Sequence, residues 1–144
     1  MYEFLEYRVE DVMSRPVTLA PDDEIGKAQG LLEEHGFNAL PVVDADRQLV
    51  GWVTSLDLLR AFDFPGDTIL PCFEDVMHQP VERVMSREVY TVRPRTPLSR
   101  VISKLVDTRS KSFPVLDDDD RLIGVVARED VMRALQSSSD GRGS

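Results

Sequence analysis

Apolar positions in residues 25–35 recur at helical spacing. Ile25, Ala28, Leu31 and Leu32 form one stripe and predict a helix from Ile25 to His35, which Gly36 stops. Ala39 to Val43 and Leu49 to Val53 are apolar, β-branched runs around the polar turn DADRQ and predict a hairpin. Leu56 to Phe62 predicts a second helix, and Val17 to Leu19 a short strand ending at Pro21. The order strand, helix, strand, strand, helix then returns in the second half of the chain. There the first helix begins near Pro97, and Arg109 stands where Gly36 stood.

The returning pattern is an internal repeat. VEDVMSRPV (Val9 to Val17) comes back as VERVMSREV (Val81 to Val89), identical at seven of nine positions. After one extra residue, Tyr90, the match resumes at an offset of 73. LPVVDADRQLVGWV (Leu40 to Val53) meets FPVLDDDDRLIGVV (Phe113 to Val126), and Asp57, Arg60 and Ala61 meet Asp130, Arg133 and Ala134. The fold class expected is α+β, as two β-α-β-β-α units packed through their sheets with pseudo-twofold symmetry. The boundaries expected are a lead-in over 1–8, a first unit over 9–62, a linker over 63–80, a second unit over 81–135 and a disordered tail over 136–144. The linker's Pro and Gly mark a connector, with one helical turn around Phe73 to Met77.

Composition narrows the function. The net charge of -9 argues against a nucleic-acid binder. Residues 1–72 hold 5 basic and 14 acidic side chains, whereas residues 73–144 hold 12 of each. In the neutral half, Arg93, Arg95, Arg100, Lys104, Arg109 and Lys111 form a basic segment opposed only by Asp107. That segment is either a solvated helix face or a holder for a local anion. No apolar run is long enough for a membrane span, and the acidic start has no signal core. Cys72 is the only cysteine, so no internal disulfide forms. Together these point to a cytoplasmic protein.

The repeats resemble the CBS domain, named after cystathionine beta-synthase and usually found as a tandem pair, the Bateman module. The residues that carry the resemblance are VEDVMSRPVTLAPD, LPVVD and GWVTSLDLL, with their second copies VERVMSREVYTVRP, FPVLD and GVVAREDVM. The resemblance covers about Val9 to Leu135. It implies a regulatory module that binds an adenosine ligand such as AMP, ADP, ATP or, less favoured, S-adenosylmethionine in clefts between units. It also implies a homodimer, and a signal passed to a partner protein. No cofactor is required.

The stretch GWVTSLD, Gly51 to Asp57, carries the sharpest question. Thr followed three residues later by an acid resembles a helix capping box. The resemblance instead assigns Asp57 to ribose hydroxyls and Thr54 to the ribose or phosphate edge. A carboxylate accepts from two vicinal hydroxyls, so both roles are physically open, and they can coexist. In the second copy Ala127 replaces the Thr, whereas Asp130 remains. The resemblance places adenine against Asn38, Ala39, Leu40 and Pro41, and against Phe113 and Pro114 in the second copy. Taken singly, Leu40 and Phe113 read as core. Arg109, Lys111 and Arg128 are candidate phosphate partners, with Arg93 and Arg95 behind them. One arrangement runs the ribose on Asp57 and the phosphates toward those second-unit cations.

Other features read as structural. Asp117 to Asp120 aligns with the turn Asp44 to Arg47 and reads as a hairpin loop. His35 and His78 have no ligand at metal spacing, and Cys72 reads as an inert core or linker residue. Nothing nominates a nucleophile with its base, so the chain is read as not an enzyme. The alternative function is a ligand-free dimerisation or interaction module with a vestigial cleft.

Overall fold

The computed structural model describes residues 2–63, Gly66 and residues 72–143. Contacts divide the chain into two compact units, residues 17–89 and residues 1–16 with 90–144.

In the 17–89 unit, α3 (Ile25–His35) buries Ile25, Ala28 and Leu32. Gly36 ends it in the left-handed conformation at φ 64°, with its N–H on the Leu32 carbonyl. β1 (Ala39–Val43) and β2 (Leu49–Thr54) pair antiparallel, with Ala39 opposite Thr54 and Pro41 opposite Trp52. Asp44 Oδ1 closes their turn by accepting from the Asp46 and Gln48 amides at 2.9 and 3.0 Å. α4 (Ser55–Arg60) leaves β2 directly, and α5 (Phe73–Met77) supplies the helical turn expected in the linker. Linker residues 64–65 and 67–71 lie outside the described residues. Cys72 is exposed, so it belongs to the connector and not to the core. The strand expected at Val17 to Leu19 reduces to one parallel bridge, Leu19 to Val42. The chain turns away at once, because the Asp23 carboxylate captures the Ala20 amide at 2.7 Å.

The other unit repeats this plan with α6 (Leu98–Thr108), β3 (Ser112–Leu116), β4 (Leu122–Ala127) and α7 (Arg128–Gly143). Leu98, Val101 and Leu105 face its core. Asp117 Oδ1 takes the Asp119 and Arg121 amides, so the acidic run is a hairpin turn built like that of the first copy. The lead-in holds α1 (Tyr2–Glu6), the first repeat opens on α2 (Val9–Val12), and Phe4 and Val9 are buried in this unit's core. Of the tail expected as disordered over 136–144, residues 136–143 continue α7, with Ser138 buried, and Ser144 lies outside the described residues. The polar run forms helix because it extends one already packed through Val131 and Ala134.

The compact units and the sequence repeats do not coincide. Each repeat's opening segment packs in the unit built from the rest of the other repeat. Ser86 exchanges two backbone hydrogen bonds with Trp52 of β2, each at 2.9 Å. Ser14 does the same with Val125 of β4 at 2.9 and 3.0 Å. Among the described residues no helix is long and apolar enough to cross a membrane.

Candidate functional site

At the β2–α4 junction the capping box is complete. Thr54 Oγ1 accepts from the Asp57 amide at 3.2 Å, and Asp57 Oδ2 accepts from the Thr54 amide at 2.8 Å. This pair orients α4 and contributes about 1 kcal/mol to its start. The same Oδ2 also accepts from the Thr54 hydroxyl at 3.0 Å. Asp57 Oδ1 accepts from Arg60 at 3.0 Å and from the Ser86 hydroxyl at 3.4 Å. Asp57 is only 2% exposed, yet Arg60, which covers it, is 61% exposed at its side chain. Arg60 is thus the exposed partner of a buried carboxylate, while Thr54 and Ser86 are half-buried.

The β4–α7 junction has the same plan with one donor fewer. Asp130, 5% exposed, takes the Ala127 amide on Oδ2 at 2.8 Å. Its Oδ1 accepts from Arg133 and, at 3.4 Å, from the Ser14 hydroxyl. The carboxylate therefore keeps its bond to the N-cap amide after the Thr hydroxyl is lost.

The approach of each opening segment depends on a motif glycine. A Cβ at Gly51 would stand 2.3 Å from Met85 Sδ, and one at Gly124 would stand 2.7 Å from Met13 Sδ and 3.2 Å from the Ser14 carbonyl oxygen. The Met-Ser pair of each opening segment thus lies over the glycine, and its serine reaches the carboxylate six residues further on.

The remaining candidates separate into core and surface. Ala39, Leu40 and Pro41 are buried in β1, as are Phe113 and Pro114 in β3, while Asn38 is half-buried just ahead of β1. Arg109, Lys111 and Arg128 are exposed and flank the start of β3 and of α7. Arg128 is partly engaged, donating to the Ser110 and Arg109 carbonyls at 2.8 and 3.0 Å. Arg93 is committed to the hairpin turn through Asp120 at 2.7 Å and the Asp117 carbonyl, which removes it from the phosphate candidates. Arg95 is exposed, and its carbonyl receives Arg8 at 2.7 Å.

Sequence reasoning did not nominate Ser14, Ser86, Arg60 and Arg133, the polar partners of the two carboxylates. The signal was present, since both pairs occupy matching positions in the repeat. Tyr90, the inserted residue, was also passed over. Its ring meets Phe113 edge-on at 5.0 Å, with the Lys104 ammonium 5.3 Å above it.

The family model described as CBS domain matches residues 9–63 and 81–137. L-aspartate semialdehyde sulfurtransferase of Methanocaldococcus jannaschii is 32% identical over 87% of this chain, which spans 22% of that protein. The chain spans about a quarter of the length of the first curated relatives it matches. Among solved structures, CBSX2 in complex with AMP is 28% identical with a TM-score of 0.78, over 92% of this chain and 98% of that one. The CBS domain pair of protein MJ0100, in complex with 5'-methylthioadenosine and S-adenosyl-L-methionine, is 29% identical with a TM-score of 0.74, over the same shares.

Proposed function

The chain belongs to the CBS domain family, and from that premise we propose that it is a regulatory pair that binds an adenosine ligand and acts through a partner protein, not by catalysis. The observation that carries this reading is the buried carboxylate at each strand–helix junction, Asp57 and Asp130, held by its N-cap amide and covered by an exposed arginine. Such a group is preorganised to accept from two ribose hydroxyls once the guanidinium moves aside. Two similar proteins hold AMP, or methylthioadenosine with S-adenosylmethionine, which supports the ligand class.

The mechanism is a population shift. A ligand that takes the carboxylate competes with Ser86 or Ser14, so occupancy changes how firmly each opening segment is held to its strand. Arrangements with the carboxylate free gain by the ligand's differential affinity, and the partner reads that change. The pair acts as a homodimer. The homodimer part of the reading rests on the family resemblance; the apolar groove of about 510 Å³ between α6 and α7, lined by exposed Val106 and Met132 together with Arg109 and Arg128, is not assigned an occupant by it.

A ligand-free interaction module is the second reading, favoured by the four internal donors that already fill Asp57. A thermal-shift screen of the intact protein with AMP, ADP, ATP and S-adenosylmethionine separates the two. At about 100 times its Kd a ligand adds about 2.7 kcal/mol, which for a chain of this length raises Tm by several degrees. A shift with one of these ligands supports the sensor, and no shift with any of them supports the interaction module.

A further inference from the structure

Within the homodimer reading, on which this inference rests, we propose that two copies of the chain associate through unlike faces. The groove between α6 and α7 of one copy seats the α3–α4 face of the other.

The groove is apolar along its floor and cationic at one end. Leu105 and Val131 are buried in it, while Val106 and Met132 stand exposed at 70% and 54%. Arg109 follows the last turn of α6 and Arg128 opens α7, and both line the groove. Arg128 donates to the Ser110 and Arg109 carbonyls, which holds the two arginines at the same end. An exposed apolar strip flanked by charge is the common form of a protein-binding surface.

The repeat supplies an internal comparison. At the offset of 73, Ile102, Val106, Arg109 and Arg128 correspond to Gln29, Glu33, Gly36 and Ser55. On α3 the apolar positions have become polar or acidic, and neither arginine has a counterpart. Met132 and Leu135 correspond to Leu59 and Phe62, so the α4 side stays apolar. Leu59 is 66% exposed and Leu56, on the same helix, 56%. Glu33 is exposed in the last turn of α3, where it accepts from Gln29 at 2.8 Å. The chain thus carries two different apolar faces, one flanked by arginines and the other by a carboxylate.

Charge decides which faces meet. Residues 17–89 hold 5 basic and 14 acidic side chains, whereas residues 1–16 with 90–144 hold 12 of each. Joining like faces would set one unit of net charge -9 against another, and would crowd two copies of Arg109 and Arg128 together. Joining unlike faces sets each acidic unit against a neutral one. Glu33 then meets Arg109 and Arg128, while Leu56 and Leu59 meet Val106 and Met132. Arg60 and Arg133, on the same helices, are already engaged by Asp57 and Asp130. The residues that attract in the unlike pairing repel in the like pairing, so they select an arrangement as well as stabilise it. A two-fold axis makes the contact twice, which doubles the effect of each charged pair.

The experiment is sedimentation equilibrium of the intact protein, free of nucleotide, as wild type, Arg109→Glu, Glu33→Arg and the double variant. Both positions are exposed, and far-UV circular dichroism checks each fold. Each single reversal is expected to raise the dimer's dissociation constant about tenfold, and the double variant to return within about threefold of wild type. The inference is overturned if Arg109→Glu leaves the dimer unchanged or tightens it, as the relief of like faces would. It is equally overturned if the double variant shows the two losses added together. Should a reversal fail to fold, Arg109→Gln and Glu33→Gln give the same cycle. Coupled losses in that pair support the contact, and strictly additive ones overturn it. Wild type that stays monomeric to about 1 mM would overturn the homodimer reading itself, an outcome distinct from a dimer that is indifferent to these charges.

Discussion

Arg109 holds φ 56° where the first repeat places Gly36 at φ 64°. The left-handed conformation costs a residue with a side chain about 1–2 kcal/mol, and glycine avoids that cost at the expense of a more flexible unfolded chain. A strained arginine at the edge of a candidate anion site fits the general pattern of strain retained for function. Arg109→Gly is therefore expected to raise stability by about 0.5–1 kcal/mol in urea unfolding while lowering AMP affinity severalfold. Equal affinity in the variant would leave Arg109 a helix-end residue only. The motif glycines carry the opposite constraint. At Gly51 and Gly124 an added methyl meets methionine sulfur at 2.3 and 2.7 Å, and overpacking of this kind costs about 1–3 kcal/mol. Gly51→Ala is expected to cost more, because Met85 is buried and Met13 only half-buried. Urea midpoints of the two variants check that order.

Among the elements, α5 is tied back to the start of α3 by His78, whose Nδ1 pairs with Glu24. Glu74 and Asp75 add attraction, and Asp22, Asp23 and Lys27 line the same depression. The Glu24 hydrogen bond and charge raise the His78 pKa above its ordinary 6.5. A raised folded pKa stabilises most below the unfolded value, and the gain is lost as pH rises through the folded one. The docking of α5 is thus expected to be firm below about pH 6.5 and to weaken above it, seen as faster amide exchange over 73–77. Glu24→Gln should flatten that dependence and lower the histidine's NMR titration midpoint. The helices of the repeat and both hairpins were legible because apolar stripes and β-branched runs are local signals. The helical tail was not, because Ser137 to Ser139 have poor intrinsic propensity and the helix there depends on tertiary packing. At the site, the capping box was legible from Thr54 and Asp57 alone. Its two further donors, Arg60 and Ser86, were visible only as repeated letters, since a repeat reports which residues are alike and not which ones touch.

At the scale of the molecule, that same limit hid the exchange of opening segments. The eleven buried residues of one core cluster run from Leu19 to Met85, and Val76, Val81 and Met85 come from beyond the first repeat. Burying a side chain of this kind contributes about 1.5–3 kcal/mol, so losing three removes about 5 kcal/mol or more. A small domain's whole stability is about 5–15 kcal/mol. The fragment 1–63, which contains the complete first repeat, should therefore not fold alone. It also lacks Ser86, the backbone partner of Trp52 and the fourth donor to Asp57. The fragment 17–89 keeps the entire core cluster, both hairpin strands and the segment that packs on Gly51. Its length is within the range in which single cores are stable without staples. Amide dispersion in NMR spectra and a cooperative melt are expected for 17–89 and not for 1–63. The reverse result would mean that the repeat, and not the exchanged unit, is the part that folds.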